Sequence, residues 1–392
     1  MLNTSFAPWP SYSEEEIAAV SDILRSNRVN YWTGNQCREF ESEFAAWTDT
    51  HHAIALANGT LALDLALKAI AVGEGDEVIV TPRTFIASVS AVINAGATPV
   101  FADVNRDSGN IDADTILPKI TKKTKAIIPV HLGGWPCEME AITSLAADHD
   151  LRVIEDCAQA HGGAIDGKAL GSFGDIGAWS FCQDKIMTTG GEGGMITTNN
   201  SALWSTMWSF KDHGKSWDAV YKEQHPPGFR WVHESIGTNW RMLEIQATIG
   251  RLQLLKMENW SSIRTENAMA IAKALSPFSS AVRAPMPEAR FKHAYYRYYA
   301  YVDPAGLKEG WTRDRILAEF ALLNIPVMQG SCSEVYLEKA FDNNDARPKA
   351  RLPIAKELGE TSLMFLTHPT ISKEQIAMMC SQIEKIFSAA TR

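Results

Sequence analysis

The chain has 392 residues, 45% hydrophobic and 21% charged, with 26 glycines and 17 prolines, a balance that excludes disordered, collagen-like and fibrous classes. Lysine and arginine number 37 against 46 acidic residues, a formal charge of −9, and the two signs are mixed along the chain. That pattern argues against a nucleic-acid or anionic-membrane binder and for a small or neutral partner. A cytoplasmic enzyme, transport protein or scaffold remains.

The N-terminal Met-Leu-Asn-Thr-Ser-Phe-Ala-Pro lacks a basic stretch followed by an apolar one, so no signal peptide is expected. Behind the acidic Glu14-Glu15-Glu16, Ile17, Val20, Ile23 and Leu24 share one helix face. The longest apolar stretch, Ala53 to Val72, is broken by Asn58, Gly59, Asp64 and Lys68 and is too short a run to span a bilayer; its part from Leu61 reads as a buried helix. Strand candidates follow at 77–80, 98–102, 126–130, 151–154 and 176–181. Helical patterns at 85–94 and 138–149 separate them, the signature of parallel strands covered on both faces. Ligands of such sheets sit beyond the carboxyl ends of the strands.

A helix is expected at 202–210, then a polar, aromatic loop over 211–238 and one long helix over 242–275. Tyr295 to Tyr301 reads as a strand and 373–389 as a terminal helix. The predicted organisation is α/β: a mostly parallel sheet domain over 13–250 and a smaller α+β domain over 251–392, after an N-terminal segment 1–12. The six cysteines are scattered with no Cys-x-x-Cys, so reduced thiols are expected, with neither a disulfide framework nor a thiolate zinc site.

Two glycine-rich stretches are decoys. Gly162 to Lys168 matches most of a phosphate loop, but Ala169 stands where Ser or Thr should bind magnesium and no helix begins there. Gly190 to Gly194 lacks the strand-turn-helix setting of a dinucleotide fingerprint and reads as a turn. With no His-Glu-x-x-His and no Gly-x-Ser-x-Gly, metal and serine hydrolysis drop out, and no metal site is expected.

Four segments at expected strand ends or turns together supply what pyridoxal 5′-phosphate requires: an amine, a carboxylate for the pyridine nitrogen, phosphate donors and a flat ring partner. Lys185 lies in a Gly- and Thr-rich turn after a buried strand and can form a Schiff base; a cationic ring nearby would lower its pKa toward that of a base. Asp156 follows Val153-Ile154 at a strand end, facing the ring nitrogen, and Gln159 reaches the ring hydroxyl. Gly59, Thr60 and Leu61 open a helix whose N–H groups cradle a phosphate, Ser180 adds a hydroxyl, and Phe85 stacks on the ring. Each has a bland alternative: Asp156 and Thr60 as helix caps, Phe85 as core, Lys185 as a surface lysine, His131 and His161 as satisfied structural histidines. The joint pattern outweighs them.

Val153-Ile-Glu-Asp-Cys-Ala-Gln-Ala-His-Gly162, Gly171-Ser-Phe-Gly-Asp175, Trp179-Ser-Phe181 with Lys185, Gly191-Glu-Gly-Gly194 and Gly237-Thr-Asn-Trp-Arg-Met242 resemble the DegT/DnrJ/EryC1/StrS family of nucleotide-sugar aminotransferases, over nearly the whole chain. The resemblance implies the aspartate aminotransferase type I fold and the roles just given for Lys185, Asp156, Gln159, Thr60, Ser180 and Phe85. It further implies that Asn239 reaches the phosphate of the neighbouring subunit's cofactor, hence a homodimer with shared sites. L-glutamate is the implied donor and a nucleotide-linked 4-keto-6-deoxy sugar the acceptor. Lys185, where dehydrating relatives carry histidine, favours transamination. Cys182-Gln-Asp184 departs from the commoner versions before that lysine. The stretch Met328 to Tyr336 resembles the branch that makes UDP-linked 4-amino-6-deoxy-N-acetylglucosamine, a bacillosamine precursor. Lys211, Lys215 and Arg230 are candidates for the pyrophosphate. The alternatives are a 3-aminotransferase or dehydratase of the same family and a non-catalytic regulator keeping the fold.

Overall fold

The computed structural model describes residues 6–342 and 344–392; Met1–Ser5, part of the octapeptide read for a leader, and Asn343 lie outside the described residues. In chain order the first elements are α1 (Glu14–Ser26), α2 (Gln36–Trp47), β1 (His52–Leu56), α3 (Gly59–Ala69), β2 (Glu77–Val80), α4 (Ala87–Asn94), β3 (Thr98–Phe101), α5 (Ala113–Ile116), β4 (Thr124–Ile128), α6 (Met139–Asp148) and β5 (Arg152–Asp156). Then come a small hairpin, β6 (Ala164–Ile165) and β7 (Lys168–Ala169), followed by β8 (Ile176–Ser180), β9 (Gly194–Thr198), α7 (Ser201–Lys211), α8 (Trp217–Tyr221) and α9 (Glu244–Leu254). The acidic triplet opens α1 as its charge suggests: Glu16 accepts from the Ser13 N–H at 2.7 Å while Ser13 Oγ faces the Glu16 N–H at 3.4 Å, a reciprocal cap.

The large sheet has the order β1-β9-β8-β5-β4-β2-β3. Strands β3, β2, β4, β5 and β8 are paired in parallel, while β9 runs antiparallel to both β8 and β1. Two apolar layers cover its faces, one built around Phe40, Phe44, Ile127, Trp179 and Phe181, the other around Leu63, Leu67, Val80, Ile128 and Ile196. The five expected strands are all present within a residue or two. The phosphate-loop lookalike is the β6–β7 hairpin, whose turn residues Asp166 and Gly167 both have positive φ, +48° and +82°. That geometry tightens a two-residue turn and leaves no helix to hold a phosphate.

The long helix expected over 242–275 is two, α9 and α10 (Met257–Leu275). They part at Leu255 and Lys256, where the Lys256 amine turns to Glu16 Oε2 (3.0 Å) and Ser13 Oγ (3.2 Å) of α1. The second unit adds β10 (Val282–Arg283), β11 (Phe291–Lys292), β12 (Arg297–Val302), α11 (Arg313–Leu322), β13 (Val327–Met328), α12 (Pro353–Thr361), β14 (Ser362–Leu366) and α13 (Lys373–Ala390). Its antiparallel sheet, β10-β12-β14-β13, packs on α10, α11 and α13 through Ile271, Tyr298, Phe320, Phe365 and Phe387. Helix α10 enters both units: Met257 joins the first core, Ala268 to Leu275 the last.

Lys211, expected as a pyrophosphate ligand, is instead fully buried at the end of α7. Its amine lies 3.2 Å from Glu41 Oε1 and 3.8 Å above the Tyr31 ring, and Glu41 also accepts from the Ala55 N–H and the Tyr31 hydroxyl. An ammonium so enclosed is compensated internally and cannot reach a ligand. Replacing Lys211 with Met strands the Glu41 carboxylate and is expected to cost about 3 kcal/mol of stability, read as a lowered denaturation midpoint.

Candidate active site

The site is built where β5 and β8 end. Beyond β5, Asp156 is buried and its carboxylate accepts from Ser88 Oγ at 2.7 Å and the Ala158 N–H at 3.1 Å. Ser88 is tied in turn to Thr84 Oγ1 at 2.8 Å, on the turn that carries Phe85. Burial raises the Asp156 carboxyl above its ordinary range, against the pull of Ser88, Ala158, Lys185 and His131. A cation placed opposite it would restore the ionised form, which is what a protonated pyridine nitrogen offers.

Gln159 is oriented by its own carbonyl oxygen, which accepts from the Gly133 N–H at 2.6 Å and so leaves the amide N–H₂ as the outward donor. Phe85 is not core: 67% of it is exposed, leaving an aromatic face free to stack. A cavity of about 290 Å³ beside it is lined by Thr84, Ile86, Ser331, Cys332, Val335 and Glu338. A larger cavity, about 1350 Å³, lies elsewhere, along Arg106, Trp135, Lys273, Arg283 and Glu357, and none of the candidate residues lines it. Size does not mark this site; converging donors do.

The phosphate cradle rests on close approach. A Cβ on Gly59 would fall 2.5 Å from Ser180 Cβ, and one on Gly194 would fall 2.2 Å from the Asn58 carbonyl oxygen. Glycines at both positions let the N-terminus of α3 press against the ends of β8 and β9, with Ser180 beside it. One expectation changes: the Leu61 N–H donates to the cap Asn58 Oδ1 at 3.0 Å, leaving Gly59 and Thr60 as the open donors at that end.

Lys185 sits in the loop after β8. Thr188 pins this loop, donating its N–H to Gln253 Oε1 (2.8 Å) and its hydroxyl to the Phe181 carbonyl (2.9 Å). The Lys185 amine is largely enclosed, 3.8 Å from Asp184 Oδ1 and 5.2 Å above the Tyr296 ring. Burial disfavours its charge, yet Tyr296, Asp184, Asp156 and Cys182 together hold its pKa above the ordinary lysine value. The lowering expected from the sequence thus needs the cationic ring itself and is no property of the bare chain.

His131 and His161, read as structural, differ in kind. His131 accepts the Cys137 N–H on Nδ1 at 3.0 Å and meets Glu155 through Nε2 at 3.2 Å. Glu155 also takes the N–H groups of Gly171, Phe173 and Gly174. His131, Glu155 and Cys157 lie close enough to suggest a metal, but the carboxylate is already saturated by these donors. His161 is buried against Trp179 and Phe181 with neither ring nitrogen partnered, and burial drives its pKa down to about 3. It packs as a neutral ring.

The sequence reading missed Ser88, Trp9 and Tyr296. Trp9 donates its indole N–H to the Lys185 carbonyl at 2.7 Å from 176 residues away, and no local pattern signals it. Asn239 is exposed, on the loop before α9. Lys215 is drawn to Asp212 at 2.8 Å and lies over Trp32, while Arg230 donates to the Ala219 and Val220 carbonyls; Arg230 alone of the three pyrophosphate candidates remains exposed. Because the cradle depends on backbone contact, Gly59→Ala is expected to weaken pyridoxal phosphate binding at least tenfold, on the order of 1.4 kcal/mol, as measured by absorbance titration; unchanged affinity would refute the cradle.

Comparison with known proteins identifies the family. The model of the DegT/DnrJ/EryC1/StrS aminotransferase family matches residues 10–384. The chain is 36% identical to the GDP-perosamine synthase of Escherichia coli O157:H7, covering 97% of each chain. It is 34% identical to a UDP-N-acetyl-3-dehydro-alpha-D-glucosamine 3-aminotransferase of Acidithiobacillus ferrooxidans, over 98% of this chain and 96% of the other. An aminotransferase structure from Psychrobacter cryohalolentis superposes with a TM-score of 0.97 at 57% identity, covering 98% of this chain and 99% of that one. The chain belongs to the DegT/DnrJ/EryC1/StrS family, whose members are pyridoxal phosphate-dependent aminotransferases of the type I fold.

Proposed function

We propose that the protein transfers an amino group from L-glutamate to the 4-keto carbon of a nucleotide-linked 6-deoxy sugar, with UDP-2-acetamido-4-keto-2,6-dideoxyhexose as acceptor. The product is the 4-amino sugar of a bacillosamine-type precursor for lipopolysaccharide or a related surface glycan, made in the cytoplasm. The observation that carries the reaction class is an enclosed lysine amine in the loop after β8, the strand paired with the one that ends at the buried Asp156 carboxylate, at the position where dehydrating relatives have histidine. The acceptor branch is supported by the Met328 to Tyr336 stretch, which brings Ser331, Cys332 and Val335 against Phe85. Names of relatives carry both GDP and UDP, so the family alone does not choose the nucleotide.

When bound, pyridoxal phosphate supplies an aldehyde that condenses with amines and a cationic ring that draws electrons from the carbon beside the nitrogen. Gly59, Thr60 and Ser180 hold its phosphate, Gln159 donates to its ring oxygen, Phe85 stacks on it, and Asp156 keeps its nitrogen protonated. Lys185 anchors it, and once displaced its Nζ takes the proton from the donor's α-carbon. The same amine later delivers a proton to the sugar carbon, so one group serves as base and acid in both halves. No co-reactant beyond the donor and the keto sugar is needed, and the donor leaves as 2-oxoglutarate.

We further propose a homodimer with shared sites, Asn239 reaching the phosphate held by the other subunit. The loop that carries it leaves Phe229, Trp231 (84% exposed) and Ile236 (92% exposed) uncovered, an apolar surface that a second copy would remove from water. Arg230 beside them is a candidate for the pyrophosphate.

Lys185→Ala is expected to lose the Schiff-base absorbance and all turnover, and a fully active variant would sink the assignment. Chains bearing Lys185→Ala and Asn239→Ala, each inactive alone, should regain activity on mixing, because a heterodimer contains one complete site; no recovery argues against sharing. Mass spectrometry of products from a panel of nucleotide 4-keto and 3-keto sugars with glutamate checks the acceptor. Amination confined to the 3-keto substrates would favour the 3-aminotransferase reading that the Acidithiobacillus relative's name suggests.

A further inference from the structure

The run Cys182-Gln-Asp184, which departs from the commoner sequences before the lysine, has a structural counterpart. Asp184 spreads its carboxylate between three partners. One oxygen lies 3.8 Å from the Lys185 amine; the other accepts the Tyr296 hydroxyl and lies 4.0 Å from Arg297 Nη2. Tyr296 is buried and presents its ring to two cations, Lys185 Nζ at 5.2 Å and the Arg297 guanidinium at 4.1 Å. Arg297 is fixed by its own bond to the Tyr296 carbonyl at 2.9 Å. The phenol therefore does not merely fill space. Its hydroxyl aims the carboxylate and its face receives the amine.

We propose that Asp184, aimed by Tyr296, is the positioning residue that docks the Lys185 amine whenever the side chain is released. This rests on the reading of Lys185 as the amine that captures pyridoxal phosphate. A lysine freed in mid-reaction has four flexible bonds and would otherwise search a wide volume, whereas a carboxylate anchored on the neighbouring residue and tied to the second domain holds Nζ near the reacting carbon. The anchoring has an electrostatic consequence. An opposite charge at this distance favours the ammonium, and the groups acting on Lys185 are Asp184 and Cys182 from its own loop, Asp156 and His161 from β5 and its exit, and Tyr296 from the start of β12, with Arg297 behind Asp184 and Tyr296 and Arg264 of α10 behind His161 and Tyr296. Of the two carboxylates, Asp156 is taken up by the cofactor nitrogen on binding, so Asp184 is the counter-ion that stays.

The test follows capture of pyridoxal phosphate by cofactor-free protein, as Schiff-base absorbance against time, over a range of pH. Only the neutral amine attacks, so the midpoint of the rate profile reports Lys185. Removing the carboxylate withdraws support from the ammonium. Asp184→Asn should therefore move the midpoint to lower pH by about one unit, and Tyr296→Phe should move it the same way by less. Asp184→Glu should restore most of the wild-type value. A structural role alone would change the final affinity or the stability and leave the midpoint in place, and that result, in a variant that still captures the cofactor, overturns the proposal. Capture persisting in Lys185→Ala would instead overturn the assignment of the amine, and the docking role with it.

Discussion

The candidate site's geometry depends first on one buried carboxylate whose oxygens are both taken up within the fold. Glu155 precedes Asp156 and points to the other face of β5, where it accepts from the N–H groups of Gly171, Phe173 and Gly174 and meets His131. Hydrogen bonds to a charged acceptor are worth roughly 1.5–3 kcal/mol each, so this knot fastens the loop before β8 and the loop after β4 to the end of β5. Strand residues alternate between faces, and fixing Glu155 on one side therefore fixes Asp156 on the other. The glycine at 171 is required twice over: its φ is +80°, and a Cβ there would fall 2.4 Å from Trp179 Cζ2. The Gly171 to Asp175 motif thus spends its N–H groups on Glu155 and braces the end of β5 that carries Asp156.

A second constraint is the close approach of α3 to β8 and β9. The sheet supplies it by placing an antiparallel strand, β9, between β8 and β1, so the chain entering α3 from β1 passes beside the start of β9 at Gly194. An anion there is met by helix N–H groups and the helix dipole. A chain of charge −9 can offer a phosphate such a place, because the donors are local backbone groups whose field does not depend on net charge.

The parallel strands, and the placing of Asp156 at the end of one of them, were legible because they lie in short apolar runs ended by glycine or polar turns, where pattern and geometry coincide. Strand β1 was absorbed into the reading of an apolar stretch from Ala53, and β9 into the end of a glycine turn, since each is as brief as its five residues and is recognisable only through its partner. Lys211 looked like a free cation because sequence spacing says nothing about Glu41, 170 residues earlier. The single long helix was a fair reading of continuous periodicity, and what divides it is the tertiary pull of Glu16 and Ser13 on Lys256. For Lys211 and for the divided helix a long-range charge decided against a local pattern.

Lys185 itself shows why its neighbourhood could not be read locally. Its backbone carbonyl is held by Trp9, whose ring packs edge-on to Trp260 at 5.1 Å and lies beside His368 and Arg264, while its amine faces Asp184 and Tyr296. The N-terminal segment is tied to the turn between β14 and α13 as well, through Thr370 Oγ1 and the Pro8 carbonyl at 2.9 Å. Main chain and side chain of Lys185 are therefore gripped from the N-terminal segment and from the start of β12. A shift of β12 and its antiparallel sheet against the parallel one cannot leave Nζ where it was, because Tyr296 holds both the amine's ring contact and the Asp184 carboxylate beside it.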